Sequence, residues 1–251
     1  KNGSAKLSPK FLIFCRKLSG LTRWRSRFSS LFPTFAPMLQ KMKVLVLHTI
    51  KYSDSSLIVH AYSEQKGRLA FWVRIPKSSK ARVKNVLFQP LALLELDADL
   101  SAKSGIHPVK DAKPLVVWQS IPFHPIKSSV ALFLSEFLSR ALMEEAENPA
   151  LFAYLQASIE WLDRCERPAA NFHLVFLMHF ALFLGLFPNL ENYREGDWFD
   201  LLNRTFVSLP PSHSQCLGPD DASRISTLMR MNYENMHLFR LSRAERGRIL
   251  D

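Results

Sequence analysis

Arg68-Leu-Ala-Phe-Trp-Val-Arg-Ile75 decides how this chain reads, because Leu69, Phe71, Val73 and Ile75 alternate strictly with Arg68, Ala70, Trp72 and Arg74. A period of two is the pattern of a strand with one buried face. One face is therefore core and the other is basic and aromatic. Upstream, Lys43-Val-Leu-Val-Leu-His-Thr-Ile50 reads as a strand, ended by the polar turn Tyr52 to Ser56. Leu57 to Tyr62 resumes the pattern, and Ser63-Glu-Gln-Lys-Gly67 turns the chain with Gly67 in a left-handed conformation. Downstream, Val86 to Ala98, interrupted by Pro90, predicts one or two strands, and Pro114 to Gln119 is expected to close the set. Five short strands in about 75 residues predict a small antiparallel barrel, since closure removes exposed sheet edges.

Beyond Pro122 and Pro125 the period becomes helical. Ile126 to Glu147 places Val130, Leu134, Phe137, Leu138, Ala141 and Leu142 on one stripe. After Asn148-Pro149, Leu151, Leu155, Ile159 and Leu162 mark a second helix. A third is expected from a first turn holding Pro168 through to Phe187, apolar nearly all round and so central in a bundle. Residues 189–219 read as loop, Asp220 as the cap of a fourth helix running to about His237, and Ser242 with Glu245 as a capping box. The chain stops six residues after Glu245, so a C-terminal helix cut short is expected. The fold class is α+β: a small antiparallel barrel over 38–118, then an all-helical domain over 119–251.

The charge is uneven along the 251 residues. Residues 1–37 carry eight Lys or Arg and no acid, 38–118 thirteen bases against six acids, and 119–251 twelve against sixteen. A net +11 concentrated in the first half points to a polyanion as partner. The 1–37 leader, rich in Arg and Ser, reads as an upstream extension, a transit peptide or a basic DNA-binding arm, with folding expected to start near Met38. The longest apolar run, Leu174 to Phe187, has 14 residues and contains His179, too few to cross a bilayer. Cys15, Cys165 and Cys216 lie far apart and form no CxxC pair, which fits a reducing cytoplasm without a disulfide framework.

The search for catalytic chemistry is mostly negative. No GxxxxGK[ST], GxGxxG, HExxH or GxSxG occurs, so the common phosphate-loop, dinucleotide, metalloprotease and hydrolase readings lack support. No set of acid, base and nucleophile can be named, and no enzyme activity is expected. His173 and His179 fall on an apolar helix and read as core histidines, Glu144, Glu145 and Glu147 as a solvated helix end, and His213 with Cys216 lacks a partner pair for a metal. What remains is the basic stretch with Lys66, Arg68, Arg74, Lys77, Lys80, Arg82 and Lys84, free of acids. Such a run is often only a solvated face. Here the alternation sets Arg68, Trp72 and Arg74 on one side, and the loop from Pro76 to Lys84 is long enough to wrap a backbone. A basic groove with an aromatic platform holds single strands by stacking and phosphate contacts. The bland alternative for Trp72 is packing under a loop or against the helical domain.

Two stretches carry a resemblance. Lys43 to Leu69, KVLVLHTIKYSDSSLIVHAYSEQKGRL, followed by the basic loop and Leu87-Phe-Gln-Pro-Leu-Ala-Leu-Leu-Glu-Leu96, resembles the N-terminal barrel of the RecO family of bacterial recombination mediators. Ala170-Asn-Phe-His-Leu-Val-Phe-Leu177 with Phe183-Leu-Gly-Leu-Phe-Pro-Asn-Leu190 resembles that family's helical domain in its Bacteroidetes-like form. The likeness covers about 38–251. It implies an oligonucleotide-binding (OB-fold) barrel on a helical domain, and a DNA repair protein that binds single- and double-stranded DNA, anneals complementary strands and, with RecR, helps load RecA onto strands coated by single-strand-binding protein. It further implies docking of that protein's C-terminal tail, no membrane, and a cytoplasmic, nucleoid-associated place in a bacterium. The basic barrel face carries over to Arg68, Arg74, Lys77, Lys80, Arg82 and Lys84 as a group. The alternative is a protein-interaction adaptor with incidental nucleic-acid binding. Many relatives carry four cysteines where this chain has only Cys216 between Asn189 and Leu217, so no zinc is expected, and Tyr193, Trp198, Phe199 and Phe206 are expected to hold that segment by packing.

Overall fold

A computed structural model describes residues 39–75, 85–101, 105–142, 146–186, 188–190 and 193–250. The leader lies outside these residues, as do Lys77, Lys80, Arg82 and Lys84 of the basic loop and the acids Glu144 and Glu145.

Five strands, β1 (Leu39–Ser53), β2 (Ser56–Ser63), β3 (Gly67–Arg74), β4 (Leu93–Asp99) and β5 (Ile106–Pro114), close into a barrel in the order β1-β2-β3-β5-β4. All pairs are antiparallel except β3 with β5, which run parallel from Ala70–Ile106 to Trp72–Pro108. Alternation works as the sequence predicts: Phe71 and Val73 point inward with Met42, Val44, Val46, Leu57, Val59, Leu94 and Leu96, all buried. Gly67 turns β2 into β3 with φ of 64°, a conformation that glycine adopts without a Cβ penalty.

The closing strand differs from expectation. Strand β5 is Ile106–Pro114, and residues 115–119 are irregular. The polar sequence of β5 hides it, because this strand buries only Ala112. Pro90 splits the Val86–Ala98 run into a short 3-10 turn, Asn85–Phe88, and β4. Between them Leu91 takes a φ of 60°, rare for a residue with a Cβ, while fully buried.

The helical part begins with α1 (Pro125–Ala141), α2 (Pro149–Arg164) and α3 (Phe172–Phe183). Asn148 caps α2 by accepting the Leu151 N–H at 3.0 Å. Helix α3 starts four residues after Pro168 rather than with it, because Asn171 is tied away by its side-chain amide, which donates to the carbonyls of Met236 and Phe239. It ends before Phe187 because Gly185, with φ of 65°, lets the Leu186 N–H reach back to Ala181. The expected loop contains a small sheet of β6 (Trp198–Asp200), β7 (Thr205–Val207) and β8 (Cys216–Leu217). Tyr193, Phe199 and Phe206 pack there with Ala222 and Ile225. Helix α4 (Pro219–Arg230) is capped at Gly218, with Asp220 inside its first turn, and it stops seven residues before His237, where Asn232 and Asn235 bond each other's backbone. Helix α5 (Arg243–Leu250) opens with the predicted capping box: Ser242 and Glu245 exchange side-chain to backbone bonds at 2.7 and 3.2 Å.

One outer side of the barrel is covered by these helices. Leu45, Leu47, Tyr62, Leu91 and Leu93 join α1, α2 and α3 in one buried core. A bulge between Val46 and His48 makes this possible, since the extra residue turns Leu47 toward the helices while His48 stays exposed. The Ser135 hydroxyl donates to the Leu47 carbonyl and the Tyr62 hydroxyl to that of Ala146. The connecting segment is fastened by buried Asp163, whose carboxylate accepts the N–H groups of Gln119, Ser120 and Ile121 at 2.8–2.9 Å. Buried Lys127 completes the lock by donating to Ser120 Oγ and to the carbonyls of Asp163 and Cys165.

Candidate nucleic-acid interface

The barrel side not covered by helices presents the outward residues of β1, β2 and β3 in register. Ile50 pairs with Ile58, Ile58 with Trp72, and Trp72 with Pro108, so four strands supply one transverse row. Ile50 is 44% and Trp72 36% exposed. Such a contiguous apolar row on the surface is a candidate contact site. Arg74, also exposed, stands at one end of β3 opposite Ser56. The next row is His48, His60 and Ala70, with the two imidazoles stacked at 6.5 Å between centroids and 19° between planes.

Arg68 belongs to the same face but is engaged. Its guanidinium donates to the Ser139 carbonyl at 3.0 Å, in the last turn of α1, where the helix dipole is negative. Burial draws this guanidinium below its ordinary pKa. Lys66 is exposed in the turn before β3, eight residues from Arg74, roughly 25 Å along an extended strand. The fold therefore brings Trp72 and Arg74 together, commits Arg68 to the helical domain, and separates Lys66 from Arg74. The other basic candidates, Lys77, Lys80, Arg82 and Lys84, fall outside the described residues.

Sequence reasoning missed Ile50, Ile58, His48 and His60. Their signal was present in β1 and β2, where outward positions alternate with the core, but it acquires meaning only once cross-strand register is known. For His60, burial, then Arg68, then His48 hold the imidazole below its ordinary pKa.

The segment where a zinc centre would fall does not fit one. Cys216 is the only cysteine from Asn189 to Leu217, and the Asp200 carboxylate is occupied by Asn203, the Leu202 N–H and His213, the last at 3.3 Å. Among the described residues no three His, Cys, Asp or Glu side chains gather in a metal-holding group. No helix among them is long and apolar enough to cross a membrane.

The family model for the recombination protein O N terminus matches residues 38–117, and that for the recombination protein O C terminus matches residues 123–251. The chain belongs to the RecO family. It is 56% identical over 213 residues to the DNA repair protein RecO of Phocaeicola vulgatus, covering 85% of this chain and 88% of that protein. The protein of the same name from Bacteroides fragilis is 56% identical over 214 residues, with the same shares covered. That from Porphyromonas gingivalis is 34% identical over 220 residues, covering 85% and 89%. The two family regions coincide with the two parts of the RecO fold seen here, the barrel and the helices.

Proposed function

We propose that this chain is a DNA repair protein without enzymatic activity, which binds single- and double-stranded DNA on the barrel and anneals complementary strands. In this reading it acts with RecR to load RecA onto strands coated by single-strand-binding protein, in the bacterial cytoplasm at the nucleoid. The observation that carries it is the transverse row through Ile50, Ile58 and Trp72 beside Arg74, a stacking platform next to a phosphate-binding cation. Membership of a family whose relatives are called DNA repair proteins supports it further. The test is anisotropy of a labelled single-stranded oligonucleotide against the protein over a salt series, with and without ATP. Salt-sensitive, ATP-independent binding, followed by annealing of complementary strands, is the expected result. A folded protein that does not bind at low salt would refute it.

A second, compatible role is docking of partner proteins. Phe133, Phe137 and Ala141 of α1 line a depression of about 560 Å³ with Arg140 and Glu136 at its edge. An apolar floor beside a guanidinium suits the acidic, apolar-ended tail of single-strand-binding protein. A tail peptide should bind the full chain and lose affinity on Phe133→Ala; undiminished binding would place the tail elsewhere.

A further inference from the structure

The His48–His60 pair has no internal purpose that its surroundings explain. The residues are cross-strand partners at the border between the helix-covered and the open side of the barrel, one row from Trp72, with His48 exposed and His60 half-buried. Residues two apart on a strand are separated by about 6.6 Å, a distance comparable with that between a stacked base and its own phosphate. His48 also lines, with Leu47, Pro90 and Leu132, a cleft of about 490 Å³ between β1 and α1.

The charged groups around the pair are few. Arg68 approaches His60 from β3, and Glu136 and Arg140 line the His48 cleft from α1, already paired with each other at 2.6 Å. Tyr62, outward on the same strand as His60, has its hydroxyl bound to Ala146. Among the described residues neither imidazole has a carboxylate within ion-pair distance. Protonating either ring would thus add a positive charge beside a second imidazole and a guanidinium, and the one carboxylate among the described residues of the cleft lining, Glu136, is already paired with Arg140. An anion from outside reverses that balance.

We propose that His48 and His60 form a proton-dependent phosphate contact, so that a nucleic-acid strand laid across Trp72 takes up protons as it binds. This rests on the nucleic-acid reading above and adds to it a second row of contacts and a dependence on pH. The phosphate backbone supplies the missing negative charge, each imidazole then becomes a two-donor cation, and binding strengthens as pH falls through the histidine range. Burial, and then Arg68 fixed by Ser139, disfavour the proton on His60 when no strand is bound.

The experiment is anisotropy of a cyanine-labelled oligothymidylate, which carries no base titrating near neutrality, titrated with the full chain from pH 8.0 to 5.5 at constant ionic strength. The wild type is compared with His48→Gln/His60→Gln, and thermal melts check that both are folded at each pH. Affinity of the wild type should rise about tenfold or more across the range, tenfold being the change that one full proton taken up per strand produces over one pH unit, and the double variant should lose most of that rise. Calorimetry in two buffers of different ionisation enthalpy should show proton uptake in the wild type only. Binding that ignores pH, or that keeps the same pH slope in the double variant, overturns the contact and leaves the nucleic-acid reading standing. Absence of binding at every pH overturns both.

Discussion

The Arg68 guanidinium donates to the carbonyl oxygen of Ser139 at 3.0 Å, so one arginine of the basic strand fastens the barrel to α1 while Arg74, six residues along, stands exposed. Two residues of the same type on the same face therefore do different work. Arg74→Ala should weaken single-strand binding and flatten its salt dependence by about 0.7 in logarithmic slope, the value for one phosphate contact, with an unchanged melting temperature. Arg68→Ala should lower the melting temperature instead, through a loss of about 1–3 kcal/mol of unfolding free energy for the carbonyl left unpaired. Equal effects of the two variants on both measurements would contradict this division.

Trp72 lies between Ile58 and Pro108 in the exposed row. Trp72→Ala should cost about 1–3 kcal/mol of single-strand affinity, the worth of one stacked base, while Trp72→Phe retains most of it. The salt slope should not change, because no charge is removed. A Phe variant as weak as the Ala variant would mean that the indole acts through something other than its aromatic face.

The Asp163 carboxylate holds three consecutive backbone N–H groups of the segment joining barrel to helices. Burial pushes this carboxyl up, and the backbone donors of Gln119, Ile121 and Ser120 with the Lys127 charge outweigh it, so it stays below the ordinary carboxylate range. Asp163→Ala leaves those donors and the Lys127 ammonium in want of partners, at a cost of about 3 kcal/mol in unfolding free energy. Because the folded pKa is depressed, the contribution is present above the unfolded value near 4 and fades as pH falls through the folded one. Chemical denaturation of wild type and variant at pH 7 and pH 3 should show the gap narrowing at the lower pH; a constant gap would exclude the carboxylate charge as its source.

Strands β1 and β2 were legible as β-branched and Leu runs between polar turns, β3 from its strict alternation, and the helices because Leu and Phe recur at helical spacing. Strand β5 was not, since it pairs through backbone and buries only Ala112. The β6–β8 sheet escaped because two- and three-residue strands leave no period to count. At the candidate site, Trp72 and Arg74 could be read from alternation alone. The engagement of Arg68 could not, because its partner is a carbonyl 71 residues away, and every serine offers the same one. The His48–His60 pair depends on register between strands, which a bulge at Leu47 shifts by one residue.

His173 faces inward from α3, its ring edge against Phe133 at 5.7 Å between centroids. Burial, and then the nearby Arg246 of α5, lower its pKa to about 4. The unfolded chain takes up a proton there near pH 6.5 while the folded chain does not until about pH 4, so protons favour unfolding between those values. Stability should be full above pH 6.5 and decline as pH falls toward 4. The loss at this site should amount to about 1–2 kcal/mol, allowing for the screening that partial exposure brings. His173→Phe removes the titrating group and should flatten the decline without altering strand binding at pH 7.5. Denaturation midpoints of the two proteins from pH 7.5 to 4.5 decide the matter: parallel curves would show that the acid sensitivity of the helical domain originates elsewhere.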